Sequence, residues 1–132
     1  MKNEEQLFWK FGKSIPKGTI LCREGELGRE MFIIQKGKVR VRKRTGLSEK
    51  VLAELGDGEF FGEMAVLMGM DRSATVEVIE DSKILVIGPD TFESLLKSNT
   101  DIALKMLKKM AARLRALDEH LDTPAMEGKQ ER

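Results

Sequence analysis

Cysteine, histidine and tyrosine are nearly missing from this 132-residue chain, which has one Cys, one His and no Tyr. The lone thiol, Cys22, closes no internal disulfide and holds no metal by itself. A single imidazole, His120, removes the histidine clusters of most metal sites and argues against histidine general-base catalysis. No metal site and no cofactor are therefore expected. Long apolar runs are also missing: nothing approaches the roughly 20 residues that span a bilayer. The opening MKNEEQLFWKF lacks the apolar stretch of a secretory signal, so a cytoplasmic location is expected. Neither sign of charge dominates, since 23 Lys+Arg stand against 22 Asp+Glu, and bulk charge does not point to nucleic acid. What remains is a globular balance, 41% hydrophobic and 34% charged, of a size that fits one domain.

Residues 1–14 read as a short amphipathic helix, with Leu7, Phe8 and Phe11 on one face, Trp9 at its edge and Gly12 ending it. Ser14–Gly18 reads as a turn. Short β-like runs follow over 19–23, 31–35, 38–44, 49–55, 73–79 and 83–87, with glycines at 18, 25, 28, 37, 46, 56 and 58 between them. Val39 and Val41 alternate with Arg40 and Arg42, the period-2 pattern of a half-buried strand. Many short strands at near-regular spacing predict a mainly β fold with α elements, an antiparallel jelly-roll barrel over about 15–88. Phe60–Gly69 breaks the pattern. Its Glu, Met, Ala and Leu favour a turn or two of helix bounded by glycines, whose free N–H groups would suit an anion.

The C-terminal third, about 90–121, is expected to be helical: a short helix opened by Pro89, a capped turn over 98–101, and a long helix from about Asp101 to Leu121. Thr123-Pro124 is expected to stop it, and 122–132 to form a polar, flexible tail. Ala103, Leu107, Met110, Leu114, Leu117 and Leu121 follow a 4, 3, 4, 3, 4 spacing. That is an a/d seam of about two and a half heptads, which points to a two-stranded coiled-coil homodimer over packing on the chain's own core. Ile102 and Met106 add a second apolar flank suited to the barrel. Lys105, Lys108, Lys109, Arg113 and Arg115 on this helix, and Arg40, Arg42, Lys43 and Arg44 on their strand, read as solvated faces.

The chemistry concentrates in Phe61-Gly62-Glu63-Met64-Ala65 and Arg72-Ser73-Ala74. A guanidinium beside free backbone amides makes a phosphate receptor, and Arg72 can return to the helix start as a strand begins. A carboxylate repels phosphate, so Glu63 belongs in such a site only if it accepts from a hydroxyl next to the phosphate. A 3′,5′-cyclic nucleotide meets both demands, having one negative charge and a free ribose 2′-OH. Taken alone, Glu63 and Arg72 would read as a surface salt bridge.

Four ordered blocks alter that reading. Gly18-Thr19-Ile20-Leu21 with Arg23-Glu24-Gly25-Glu26, Met31-Phe32-Ile33-Ile34 with Lys36-Gly37-Lys38-Val39, Leu55–Glu63, and the Glu63/Arg72 stretch together resemble the cyclic-nucleotide-binding domains of catabolite activator proteins, protein kinase A regulatory subunits and cyclic-nucleotide-gated channels. The resemblance spans roughly 8–121 and implies a non-enzymatic sensor for cAMP or cGMP. It implies that Gly62, Glu63, Met64 and Ala65 form the phosphate-binding cassette helix. Glu63 would take the 2′-OH, Arg72 the phosphate, Ser73 would offer a hydroxyl to phosphate or base, and Ala74 would close the cassette. Leu52 and Ala53 would line the base pocket.

Two departures from the catabolite activator branch stand out. Where that branch carries hydroxyl residues facing adenine, this chain has Leu117 and Asp118, so the choice of base stays open. The chain also ends about ten residues past its long helix, which leaves no room for a helix-turn-helix and implies no direct DNA binding. Output is then expected through an effector protein in trans, or from a longer regulator of which this is a fragment. The competing readings are a degenerate module kept for protein interaction and a cupin-like barrel enzyme, which the lone histidine disfavours. Cys22 and the eight methionines read as core filler, with Met64, Met68 and Met70 flanking the cassette.

Overall fold

The structure is a computed structural model that describes residues 12–125, with side chains as far as Asp118. Most of the helix expected over 1–14 lies outside the described residues, and so does the tail beyond 125. The chain divides into two compact units between Phe92 and Glu93.

The first unit is one antiparallel sheet built on two long strands. Its elements are β1 (Gly12–Ile15), β2 (Ile20–Cys22), β3 (Met31–Thr45), β4 (Ser48–Leu55), β5 (Phe60–Phe61), helix α1 (Glu63–Met68) and β6 (Thr75–Ile87). The sheet order is β1-β6-β3-β4, with β2 added to β6 and β5 to β3. This is the jelly-roll pattern expected from the short strands and glycine turns. Ile34, Val39, Val78 and Ile84 are fully buried, with Cys22, Phe32, Phe61 and Val76 around them. Along β3 the buried Val39 alternates with Arg40 and Arg42 on the other face. There Arg40 pairs with Glu54 at 3.0 Å, and Arg42 pairs with both Glu49 and Glu77. These cross-strand pairs balance the charges of Arg40 and Arg42.

Three expectations are corrected. Gly12–Ile15 is strand and not helix end or turn, because β6 offers a free edge there and Gly12 pairs with Leu85. The runs 31–35 and 38–44 are one 15-residue strand, and 73–79 and 83–87 are one 13-residue strand from Thr75. Gly37 and Ser82 look like chain breaks, yet they form a bulge at which the register of the β3–β6 pairing shifts. Gly37 takes φ +128, and a Cβ there would overlap Ser82. The Ser82 hydroxyl donates to Glu80 O at 2.7 Å and accepts from Lys38 N at 3.2 Å, so the buried bulge keeps its polar groups satisfied. Phe60–Phe61, just before Gly62, pairs with Ile33 and Phe32 as β5.

Helices α2 (Pro89–Ser98) and α3 (Thr100–Ala125) follow. Asn99 caps α3, its side-chain oxygen accepting from Ile102 N at 3.1 Å. α3 runs past the expected stop at Leu121, which shortens the expected tail. A proline near the last turn removes only one intrahelical bond, so Pro124 is accommodated within the end of the helix. Among the described side chains of α3, Met106 is buried, while Leu104, Leu107, Leu114 and Leu117 are exposed. Leu121 of the expected seam falls beyond the described side chains.

Ile84→Ala is expected to lower unfolding free energy by about 2–4 kcal/mol, as for other buried Ile sites. Val51→Ala, on the exposed edge strand, should change it by under ~0.5 kcal/mol. Urea denaturation of both variants checks the assignment of core and edge.

Candidate functional site

α1 is short because both of its ends are set by glycine. Gly62 and Gly69 adopt left-handed conformations at φ +85 and +68, and Gly69 N donates to Ala65 O at 3.1 Å. Ala65 is buried, Glu63 is half-buried, and Met64, Leu67 and Met68 are exposed. Six residues sum to little macrodipole, so recognition of a negative charge falls to a side chain.

That side chain is Arg72. Its backbone is pinned to the turn after β2: Gly25 N donates to Arg72 O, and Arg72 N donates to Glu26 O, each at 2.8 Å. The guanidinium then runs past Gly28, where a Cβ would overlap its Nε and Cζ, and reaches Gly62, where a Cβ would stand 2.9 Å from Nη1. Gly28 has ordinary backbone angles, so its lack of a side chain serves the arginine and not the chain path. The Arg72 Cζ lies 5.5 Å over the Phe32 ring, which stacks on Phe61 at 4.9 Å and 16°. Nη1 is shielded from solvent and has no hydrogen-bond partner among the described residues, and Glu63 Oε1 is also shielded from solvent. A buried donor left unsatisfied costs about 1–3 kcal/mol, more when charged, so this nitrogen awaits an acceptor.

A cavity of about 390 Å³ opens at Arg72, with Leu21, Cys22, Glu26, Gly28 and Glu30 in its wall. That is within the range of small-molecule pockets. Burial pushes the Cys22 thiol up to about 11, against the pull of the Arg72 charge and with a further push from Glu30 and Glu26. A second cavity, about 520 Å³ beside Lys36, Ser82 and Lys83, contains none of the residues expected from the sequence.

The structure brings Gly62 and Arg72 together at one place, with Glu63 beside Gly62. Ser73 is exposed, and its carbonyl accepts from Lys43 Nζ at 2.8 Å, while Ala74 is buried. Leu52 and Ala53 sit on β4, both exposed. Ala53 pairs with Val41, and Leu52 falls at a bulge in the β3–β4 pairing. Leu117 and Asp118 are exposed on α3, in the second compact unit. Gly28, Phe32 and the Gly25–Glu26 turn were not legible as site residues. Gly28 shows in the sequence only as one more turn glycine, and Phe32 as one more core aromatic.

Gly62→Ala is expected to cost about 1–2 kcal/mol from strain at positive φ. It should also displace Nη1, whereas Gly69→Ala, with nothing within 4 Å, meets the backbone strain alone. Thermal melts together with the chemical shift of the Arg72 side-chain N–H separate the two. The raised Cys22 thiol adds stability that is fully present below its ordinary 9.0 and is lost as pH rises toward about 11. Thiolate absorbance of the native protein should accordingly rise near pH 11 and not near 9.

Residues 12–99 match the family model described as Cyclic nucleotide-binding domain. A Cyclic AMP receptor protein of Thermus thermophilus is 34% identical over 113 residues, covering 85% of this chain and 52% of its own length. The chain thus spans about half the length of that curated relative. The crystal structure of Thermus thermophilus Catabolite Activator Protein superposes with a TM-score of 0.81 at 30% identity, over 96% of this chain and 60% of that one. The regulatory domain of Toxoplasma gondii PKA, solved with cAMP, superposes at 0.60 and 35% identity, over 63% of this chain and 32% of that one.

Proposed function

The chain belongs to the cyclic nucleotide-binding domain family, and on that footing we propose that it binds a cyclic mononucleotide, cAMP or cGMP, as a regulatory module with no catalysis of its own. The observation that carries this reading is the shielded, unpartnered Nη1 of Arg72 beside Gly62. A phosphodiester oxygen supplies the missing acceptor, and its single negative charge balances one guanidinium. Glu63, at the first position of α1, accepts from the ribose 2′-OH. Ser73 adds a hydroxyl on the phosphate or base side. Leu52 and Ala53 face the base from β4, and the preference between adenine and guanine is left to be measured.

Binding shifts a conformational equilibrium only through contacts that differ between the states. The bonds gained by Arg72 and Glu63 are such contacts, and they draw α1 and the 72–74 segment together. In this reading the movement is passed to α3. The exposed Leu107, Leu114 and Leu117 of α3 form the seam of a homodimer. Arg40 and Arg42 of β3 are already paired with glutamates, which supports a protein effector in the cytoplasm as the downstream partner over nucleic acid.

Calorimetric titration of the wild-type chain with cAMP and cGMP tests the proposal. Arg72→Ala is expected to weaken binding by roughly 1.5–3 kcal/mol or more, and an unchanged affinity would remove the phosphate role. Glu63→Gln should weaken binding of cAMP while leaving 2′-deoxy-cAMP nearly unaffected, because that ligand lacks the hydroxyl the carboxylate reads. For the seam, Leu107→Glu with Leu114→Glu is expected to turn a dimer into a monomer in sedimentation velocity. A wild-type monomer at all concentrations, with or without ligand, contradicts the dimer.

A further inference from the structure

The segment that carries Arg72 has no regular structure between α1 and β6, yet it is tied down on both sides. Three of its bonds come from the turn after β2: Gly25 N to Arg72 O, Arg72 N to Glu26 O, and Glu24 N to Thr75 Oγ1 at 3.0 Å. The fourth comes from a side chain at the far end of β3, where Lys43 Nζ donates to Ser73 O at 2.8 Å. The same ammonium stands 3.2 Å from Glu24 Oε2, and Glu24 Oε1 accepts from Arg44 N at 2.9 Å. One carboxylate and one ammonium thus link β3, the turn after β2 and the peptide next to Arg72.

We propose that Lys43 and Glu24 are positioning residues of the ligand site, holding the Arg72–Ser73 backbone so that the guanidinium enters the slot between Gly28 and Gly62. This inference rests on the reading of Arg72 as the phosphate ligand. An isolated ion pair at this exposure, 43% for Lys43 and 30% for Glu24, would be worth little as a surface salt bridge. Its leverage comes from where it acts. The slot is so narrow that a methyl group on Gly28 would overlap the arginine, so a small displacement at the root of the side chain cannot be absorbed along its length. The slot holds the head of Arg72 and the Lys43 bond holds its root. The Arg44 N–H and the Lys43 ammonium also keep the Glu24 carboxyl below the usual carboxylate range.

Calorimetry with cAMP and cGMP on the full chain tests the clamp. Lys43→Met, which keeps the aliphatic stem and removes both bonds, is expected to weaken binding about three- to tenfold, with Lys43→Arg restoring most of it. The decisive measurement is the same substitution in an Arg72→Lys background. If Lys43 acts through the arginine, Lys43→Met adds little further loss there, whereas an equal loss in both backgrounds overturns positioning. Glu24→Gln, which keeps an acceptor and removes the charge, should follow the same pattern more weakly and keeps the test open if Lys43→Met folds poorly. Unchanged affinity in both Lys43→Met and Glu24→Gln overturns the clamp while leaving the phosphate role of Arg72 standing. Failure of the wild-type chain to bind either nucleotide overturns both.

Discussion

The guanidinium of Arg72 is the constraint around which the first unit is arranged. It lies over Phe32, passes Gly28 and ends at Gly62, with one nitrogen shielded and unsatisfied among the described residues. Holding a charged group in that state is costly unless an anion completes it. The surroundings keep the arginine in place by several independent means: the Phe32–Phe61 stack beneath it, two glycines that leave room for it, and backbone bonds to the turn after β2. None of these contacts supplies an acceptor to Nη1 among the described residues.

The long β3–β6 pair makes this arrangement rigid. β5 pairs with β3 at Phe32 and Ile33, and so places Phe61 and then Gly62 next to the start of β3. β6 begins at Thr75, directly after the Arg72 segment. The two halves of the candidate site, separated in sequence by the exposed Leu67–Met70 stretch, are therefore carried by strands that share one buried core. The bulge at Gly37 and Ser82, where there is no room for a side chain on Gly37, lets that pair continue through its register shifts. The charged face of β3 sets Arg40 and Arg42 against glutamates in weak cross-strand pairs.

The second unit is built on local rules. Asn99 caps a 26-residue helix, and its exposed leucines follow a heptad spacing. Leu104 extends the exposed apolar surface beyond the spacing that the heptad pattern picked out.

The residues alone determined the pattern-driven features, because local spacing and side-chain chemistry set them. These are the mainly β class, the glycine-bounded α1 and the capped long helix. Glycine and charge at 36–37 and 80–82 were misleading, since a bulge and a turn carry the same composition and only the facing strand decides between them. Tertiary structure alone decided why Gly28 is glycine, that Phe32 serves as a platform, and that Lys43 reaches the peptide beside Arg72. Those contacts join segments 30 or more residues apart, and no local period encodes a distance across a fold. A sequence shows which groups are present, and burial decides which of them are left needing a partner.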